Sequence, residues 1–182
     1  MLLKKYLSVI CLLISINCSA QKIDDIGDGW KATVEKALAV IKKYDSTKYN
    51  FIKAHCTKIS YWLGSFATIE QPRTILIPTT EMNKACINDI ACVIVHESLH
   101  LYYRYPETEM VLEREEFFAY SYEYDFLKHL PHPETWLVDH VEKMILKRGN
   151  TIKIIFKTLN IPLLALSSSP NTQNVAINNI NV

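Results

Sequence analysis

Apolar residues recur along this chain at two spacings, and the two periods mark out short strands and longer helices. Trp30, Val34, Leu38, Val40 and Ile41 share a helical spacing that predicts a helix from Trp30 to Tyr44. Asp45-Ser46-Thr47 ends or turns it, and Tyr49 to His55 reads as a second short helical piece. Thr57 to Leu63 alternates and reads as a strand, which Gly64-Ser65 breaks. Phe66 to Glu70 continues as strand, Gln71-Pro72 turns, and Arg73 to Pro78 is a second, more buried strand.

Helical patterns dominate the second half. A loop from Thr79 to Ile87 leads to a helix at about Asp89 to Tyr103, with Ala91, Ile94, Val95, Ser98, Leu101 and Tyr102 on one stripe. Val93, His96, Glu97 and His100 lie to the other side. Arg104-Tyr105-Pro106 ends this helix. Val111 to Leu130 forms another helix, rich in Glu and aromatics, and Pro131-His132-Pro133 breaks it. Glu134 to Lys147 is a further helix, and Ile152 to Leu166 is apolar without a decisive period. The order predicts one α+β domain over residues 21–166, followed by a flexible polar tail at 167–182.

The first twenty residues change the picture of where the chain works. Lys4 and Lys5 precede a short apolar run, Tyr6 to Ile16, too short to span a bilayer. Cys18-Ser19-Ala20 supplies small residues before Gln21, the pattern of a cleaved export signal. Cys18 as a lipid-anchor site is the weaker reading, because Ser15 and Asn17 stand where aliphatic and small residues belong. Without Lys4 and Lys5 the chain carries 18 basic against 19 acidic residues. That balance argues against a nucleic-acid partner, which needs a basic surface.

Cys56, Cys86 and Cys92 follow in the mature chain. An exported chain meets an oxidising compartment, so a disulfide is an open possibility. Two helical residues six apart lie about 9 Å from each other, beyond the roughly 7 Å that a bridge tolerates. With Asn88 as helix cap, Cys86 falls in the loop and a bridge to Cys92 becomes possible. Free, buried thiols are the equal alternative.

The candidate chemistry lies in His96-Glu97-Ser98-Leu99-His100, an HExxH pattern within an apolar helix. Residues four apart stand one turn above each other on a single face. Two imidazoles so placed can reach one zinc ion at about 2.0–2.1 Å. Glu97, at the edge of that face, can take a proton from a metal-activated water. A catalytic zinc usually has three protein ligands. Completion in the metzincin manner fails, because its offsets hold Tyr103 and Pro106. A Glu from the following helix is the other option, and Glu113, Glu115 and Glu116 are all available.

With these residues in view, the chain resembles a family. His96-Glu97-x-x-His100 followed by Glu116-Phe117-Phe118-Ala119 is similar to the HExxH…ExxA arrangement of gluzincin-type zinc metallopeptidases. The resemblance covers about residues 91–120. It implies Zn²⁺ held by His96, His100 and Glu116, with Glu97 as general base and Ala119 as the small residue that lets two helices pack closely. It also implies a minimal zincin-like fold, with a small sheet, the HExxH helix and a Glu-bearing helix beside it. Glu113, one turn before Glu116, is the reserve ligand, and Glu115 is expected to be solvated or paired to a nearby base. The chain departs from the family at Tyr120, where Asp or Asn often follows the small residue. Tyr120 is the candidate to orient a histidine, to face substrate or to steady an oxyanion.

Tyr103, Tyr105, Tyr122 and Tyr124 read as packing between the two helices. His55, His129, His132 and His140 read as surface or capping residues, and Glu123 to Lys128 as a solvated helix face. The function expected is an exported zinc-dependent peptidase acting on a peptide or protein. An extended substrate is expected to pair with the strand at 57–63 by strand addition. The alternative is a non-catalytic zincin-like module at the cell envelope or surface. Hydrolysis of a non-peptide amide uses the same chemistry.

Overall fold

The computed structural model describes residues 21–25, 27, 29–64, 67–70, 73–78, 86–103 and 109–158, with only the backbone of 109–111, 155 and 156. Residues 1–20, read above as an export signal, residues 167–182, read as a polar tail, and Tyr105 lie outside the described residues. The elements run β1 (Lys22–Ile23), α1 (Trp30–Tyr44), α2 (Ser46–His55), β2 (Lys58–Trp62), β3 (Thr68–Glu70), β4 (Thr74–Pro78), α3 (Ile87–Tyr103), α4 (Glu109–Leu127) and α5 (Thr135–Thr158). The class is α+β. None of the described helices is long and apolar enough to cross a membrane.

Helix α1 begins after Gly29, whose φ of 75° is a left-handed conformation that glycine adopts without strain. It buries Trp30, Val34, Ala37, Leu38 and Ile41, the stripe expected from the sequence. Asp45 serves two helices. Its N–H donates to Ile41 O at the end of α1, and its side chain accepts from Lys48 N–H at the start of α2. This single-residue joint starts α2 at Ser46, ahead of the expected Tyr49.

The sheet has the order β1-β2-β4-β3. β2 is parallel to both β1 and β4, and β3 is antiparallel to β4. Ile59, Ile75 and Ile77 point into the core and are fully buried. This topology narrows the strand addition expected at 57–63. β4 pairs with β2 along its whole length, but among the described residues β1 covers the other side only at Lys58 and Ile59.

Helix α3 is the centre of the molecule. It packs against α1, α2, α4, β3 and β4. Ile90, Ala91, Cys92, Ile94, Val95 and Leu101 are buried, and so are His96, Glu97 and Ser98. Its start is capped by Cys86 rather than Asn88: Cys86 O accepts from Ile90 N–H at 3.2 Å and Cys86 Sγ from Asp89 N–H at 3.4 Å. The Asn88 amide reaches Glu134 instead. Cys56, Cys86 and Cys92 are thiols without a disulfide, and burial pushes all three above the usual thiol range.

The last helix corrects the sequence reading. The helix expected to stop at Lys147 continues unbroken to Thr158. Glycine costs a helix interior about 1 kcal/mol relative to alanine. At Gly149 the helix carries that cost, and a Cβ there would make only ordinary contact with Phe117, 3.4 Å from Cε2.

An ion-pair network ties α4 to the joint between α1 and α2. The buried Lys48 Nζ is 2.7 Å from Asp125 Oδ2 and 3.2 Å from Asp45 Oδ2, and His129 Nδ1 is 2.9 Å from Asp45 Oδ2. Burial alone would push both carboxyls up, but the Lys48 hydrogen bonds and charge outweigh it and hold both below the usual range. Carboxyls lowered in the fold add stability above their unfolded values, and that stability is lost as pH falls through the folded ones. The thermal midpoint is therefore expected to drop between about pH 5 and pH 2. Lys48→Met should flatten that slope in a circular dichroism melt series. An unchanged slope would show that the network contributes nothing to acid stability.

Candidate metal centre

Helix α3 places His96 and His100 one turn apart, and α4 brings Glu116 to them across the helix contact. These three residues converge as one group of possible metal ligands, two of them buried and Glu116 partly so. His96 Nε2 and His100 Nε2 are 3.3 Å apart. Glu116 Oε1 is 3.3 Å from His100 Nε2, and Glu116 Oε2 is 3.9 Å from His96 Nε2. The approach of the two helices depends on Ala119, which is fully buried beside Leu99 and Phe118.

The donor spacing fits a tetrahedral zinc. Two imidazole nitrogens each about 2.0–2.1 Å from such an ion lie roughly 3.3 Å from one another. The other nitrogens of both rings support the same geometry. His96 Nδ1 is 3.0 Å from Glu123 Oε2, a buried hydrogen bond in which the ring donates. His100 Nδ1 is 3.8 Å from Glu115 Oε2, which has no hydrogen-bond partner among the described residues. With each Nδ1–H aimed at a carboxylate, both Nε2 lone pairs face inward, as a metal ligand requires.

One carboxylate here differs from the sequence reading. Glu123 was expected on a solvated face; it is buried and holds His96. Glu115 is buried beside His100, so of its two expected states it takes the paired one. The signal for Glu123 was its distance from Glu116. Seven residues are close to two full turns, so both carboxyls face α3. Glu123 also answers the departure at Tyr120, because the carboxylate on His96 comes from one turn further along α4. The reserve ligand, Glu113, is occupied elsewhere: its Oε1 accepts from Arg148 Nη1 at 2.7 Å.

Glu97 is buried next to His96. Burial pushes its carboxyl above the usual range, against the opposing charges of His96 and His100. Burial would likewise push His100 down, but Glu115 and Glu116, with the charge on Glu97, raise it to about 10. Burial would raise Glu116, yet His100, His96 and Arg148 hold it below the usual range. The field at this spot attracts a cation, and a metal bound there would displace a proton. Tyr120 packs edge-on against His96, with ring centroids 4.5 Å apart. Burial, and then the charges of Glu116 and Glu123, push its hydroxyl up, so it stays protonated.

The remaining aromatic and imidazole candidates are structural. Tyr122 packs on Phe51 and under Lys48, Tyr103 on Tyr102 and Phe118, and the Tyr124 hydroxyl donates to Glu142. His55 packs between Phe51 and Tyr102, while His132 and His140 are exposed. Asp45, Asp125 and His129 form a second group of converging donors. There the Lys48 ammonium already supplies the cation.

No protein-family model matches the chain, and comparisons with the curated proteins and with the solved structures find no similar chain. The functional reading rests on the site itself. If Glu123 orients His96 for a metal, Glu123→Ala should weaken zinc affinity about 10- to 100-fold. Competition with a chromogenic chelator measures this. Equal affinity in the variant and the wild type would remove Glu123 from the site.

Proposed function

We propose that this protein is an exported zinc-dependent peptidase with a minimal zincin-like fold. The observation that carries the reading is the convergence of His96 Nε2, His100 Nε2 and a Glu116 oxygen at zinc spacing, with Glu97 the next residue along. Zn²⁺ held by those three residues would supply Lewis acidity, polarising a carbonyl and lowering the pKa of a water toward about 7.

The chain's own groups carry the rest. Glu97 takes a proton from the attacking water as its oxygen bonds to the carbonyl carbon. The same carboxyl then passes that proton to the amide nitrogen, the C–N bond breaks, and a carboxylate and an amine leave. Tyr120 is the residue we assign to donate to the developing oxyanion. Glu123 holds the His96 ring in the tautomer that presents Nε2 inward, and Glu115 stands 3.8 Å from His100 Nδ1 on the same side. The sheet and α1 fix α3 from its apolar side, so the polar face keeps its place without a ligand to order it.

The experiment is a peptide-library digest by the purified mature chain, with and without chelator, beside two variants. Wild type should bind one zinc and cleave in a chelator-sensitive manner. Glu97→Gln should keep the zinc and lose about 10²–10⁴-fold in rate. Tyr120→Phe should keep the zinc and lose about 10²–10³-fold. Absence of stoichiometric zinc in wild type would overturn the metal assignment. Zinc without cleavage would replace the peptidase by the non-catalytic module.

A further inference from the structure

Helix α5 reaches the candidate metal centre through one side chain. Arg148 Nη1 donates to Glu113 Oε1 at 2.7 Å, and its Nη2 is 3.8 Å from Glu116 Oε2. Glu113 and Glu116 are three apart on α4, so one guanidinium faces both. Arg148 is enclosed: its side chain is 23% exposed, and both its Nε and Glu113 Oε2 are buried.

The two oxygens of Glu116 have different neighbours. Oε1 is 3.3 Å from His100 Nε2. Oε2 faces Arg148 at 3.8 Å and His96 at 3.9 Å. A guanidinium is a rigid planar fork, so the bond to Glu113 fixes the direction in which Nη2 points. A carboxylate with no such neighbour can turn about its last torsion and offer a cation both oxygens. With Arg148 drawing one oxygen, a single oxygen is left for the metal.

We propose that Glu113 and Arg148 form a positioning clamp on Glu116, holding it as a one-oxygen ligand and keeping a coordination position open. Arg148 is a positioning residue, since it acts through Glu116. The inference rests on the metal reading above and adds α5 to the machinery of the site. It also gives Glu113 a role other than ligand.

Co²⁺ alone is the probe, because four-coordinate Co²⁺ absorbs visible light far more strongly than five-coordinate Co²⁺. The mature chain, Arg148→Gln, Arg148→Lys and Glu113→Gln are titrated with Co²⁺ at fixed pH, and the metal-free forms are melted in parallel. Wild type should bind one Co²⁺ with the intense four-coordinate band. Arg148→Gln should bind about 10-fold or more weakly, with a weaker, shifted band. Arg148→Lys should keep the positive charge but fail to restore the affinity or the band, because an ammonium lacks the fork. Glu113→Gln should change the band in the same direction, and it decides the matter alone if Arg148→Gln does not fold.

A variant with a lower melting point but an unchanged Co²⁺ band and affinity would reduce the contact to a helix-to-helix ion pair and overturn the clamp. Wild type that binds no Co²⁺ and no Zn²⁺ would overturn the metal reading and the clamp with it. Wild-type binding with no response from any variant would overturn the clamp alone.

Discussion

The structure depends on a polar helix face buried where an apolar one would normally lie. His96, Glu97 and the inward side of His100 are pressed by α3 against α4, which answers with Glu115, Glu116 and Glu123. Removing ionised groups from water costs several kcal/mol for each ion unless partners compensate. Here carboxylates outnumber bases, and Glu115, Glu116 and Glu97 together push the His100 imidazole up toward its charged form. A Zn²⁺ ion answers the same demand and fits the measured donor spacing.

The surrounding fold keeps that contact rigid. α1 and the inner strands bury their isoleucines and valines against the apolar side of α3. Lys48 closes the far end of α4 onto the joint between α1 and α2 through Asp45 and Asp125. A small residue sits at the contact of α4 with α3, where Ala119 is fully buried beside Leu99 and Phe118. Helix α5 then carries Arg148 to Glu113 and to the edge of Glu116. Each helix position is thus set by packing outside the site, as a preorganised site requires.

Much of this was legible in the sequence where a period or a motif is local. The stripe of α1 and the strand β4 follow from periodicity, and His96, His100 and the option of Glu116 follow from spacing along two helices. What was not legible depends on contacts between elements. The strand at 57–63 alternates like an edge strand, but its place inside the sheet is set by where β1 and β4 join it. Asp45 reads as a turn residue, and only its two hydrogen bonds show that it ends one helix and starts the next. The last helix reads as ending at Lys147, but it runs on through Gly149 to Thr158. Glu123 looks solvated because charged residues usually are, and for Glu115 spacing leaves solvation and pairing equally open. Their burial follows from the breadth of the α3–α4 contact, which no spacing on one helix reveals. Glu113 and Glu116 share a face of α4, and it is Arg148, arriving from another helix, that separates their roles.

Whether His96, His100 and Glu116 hold a zinc ion is read by X-ray absorption at the zinc edge of the zinc-reconstituted protein. The expected result is a four-coordinate shell of two imidazole nitrogens and two oxygen donors, at about 2.0–2.1 Å, with no sulfur. A shell containing sulfur, or six oxygen donors without imidazole scattering, would contradict it.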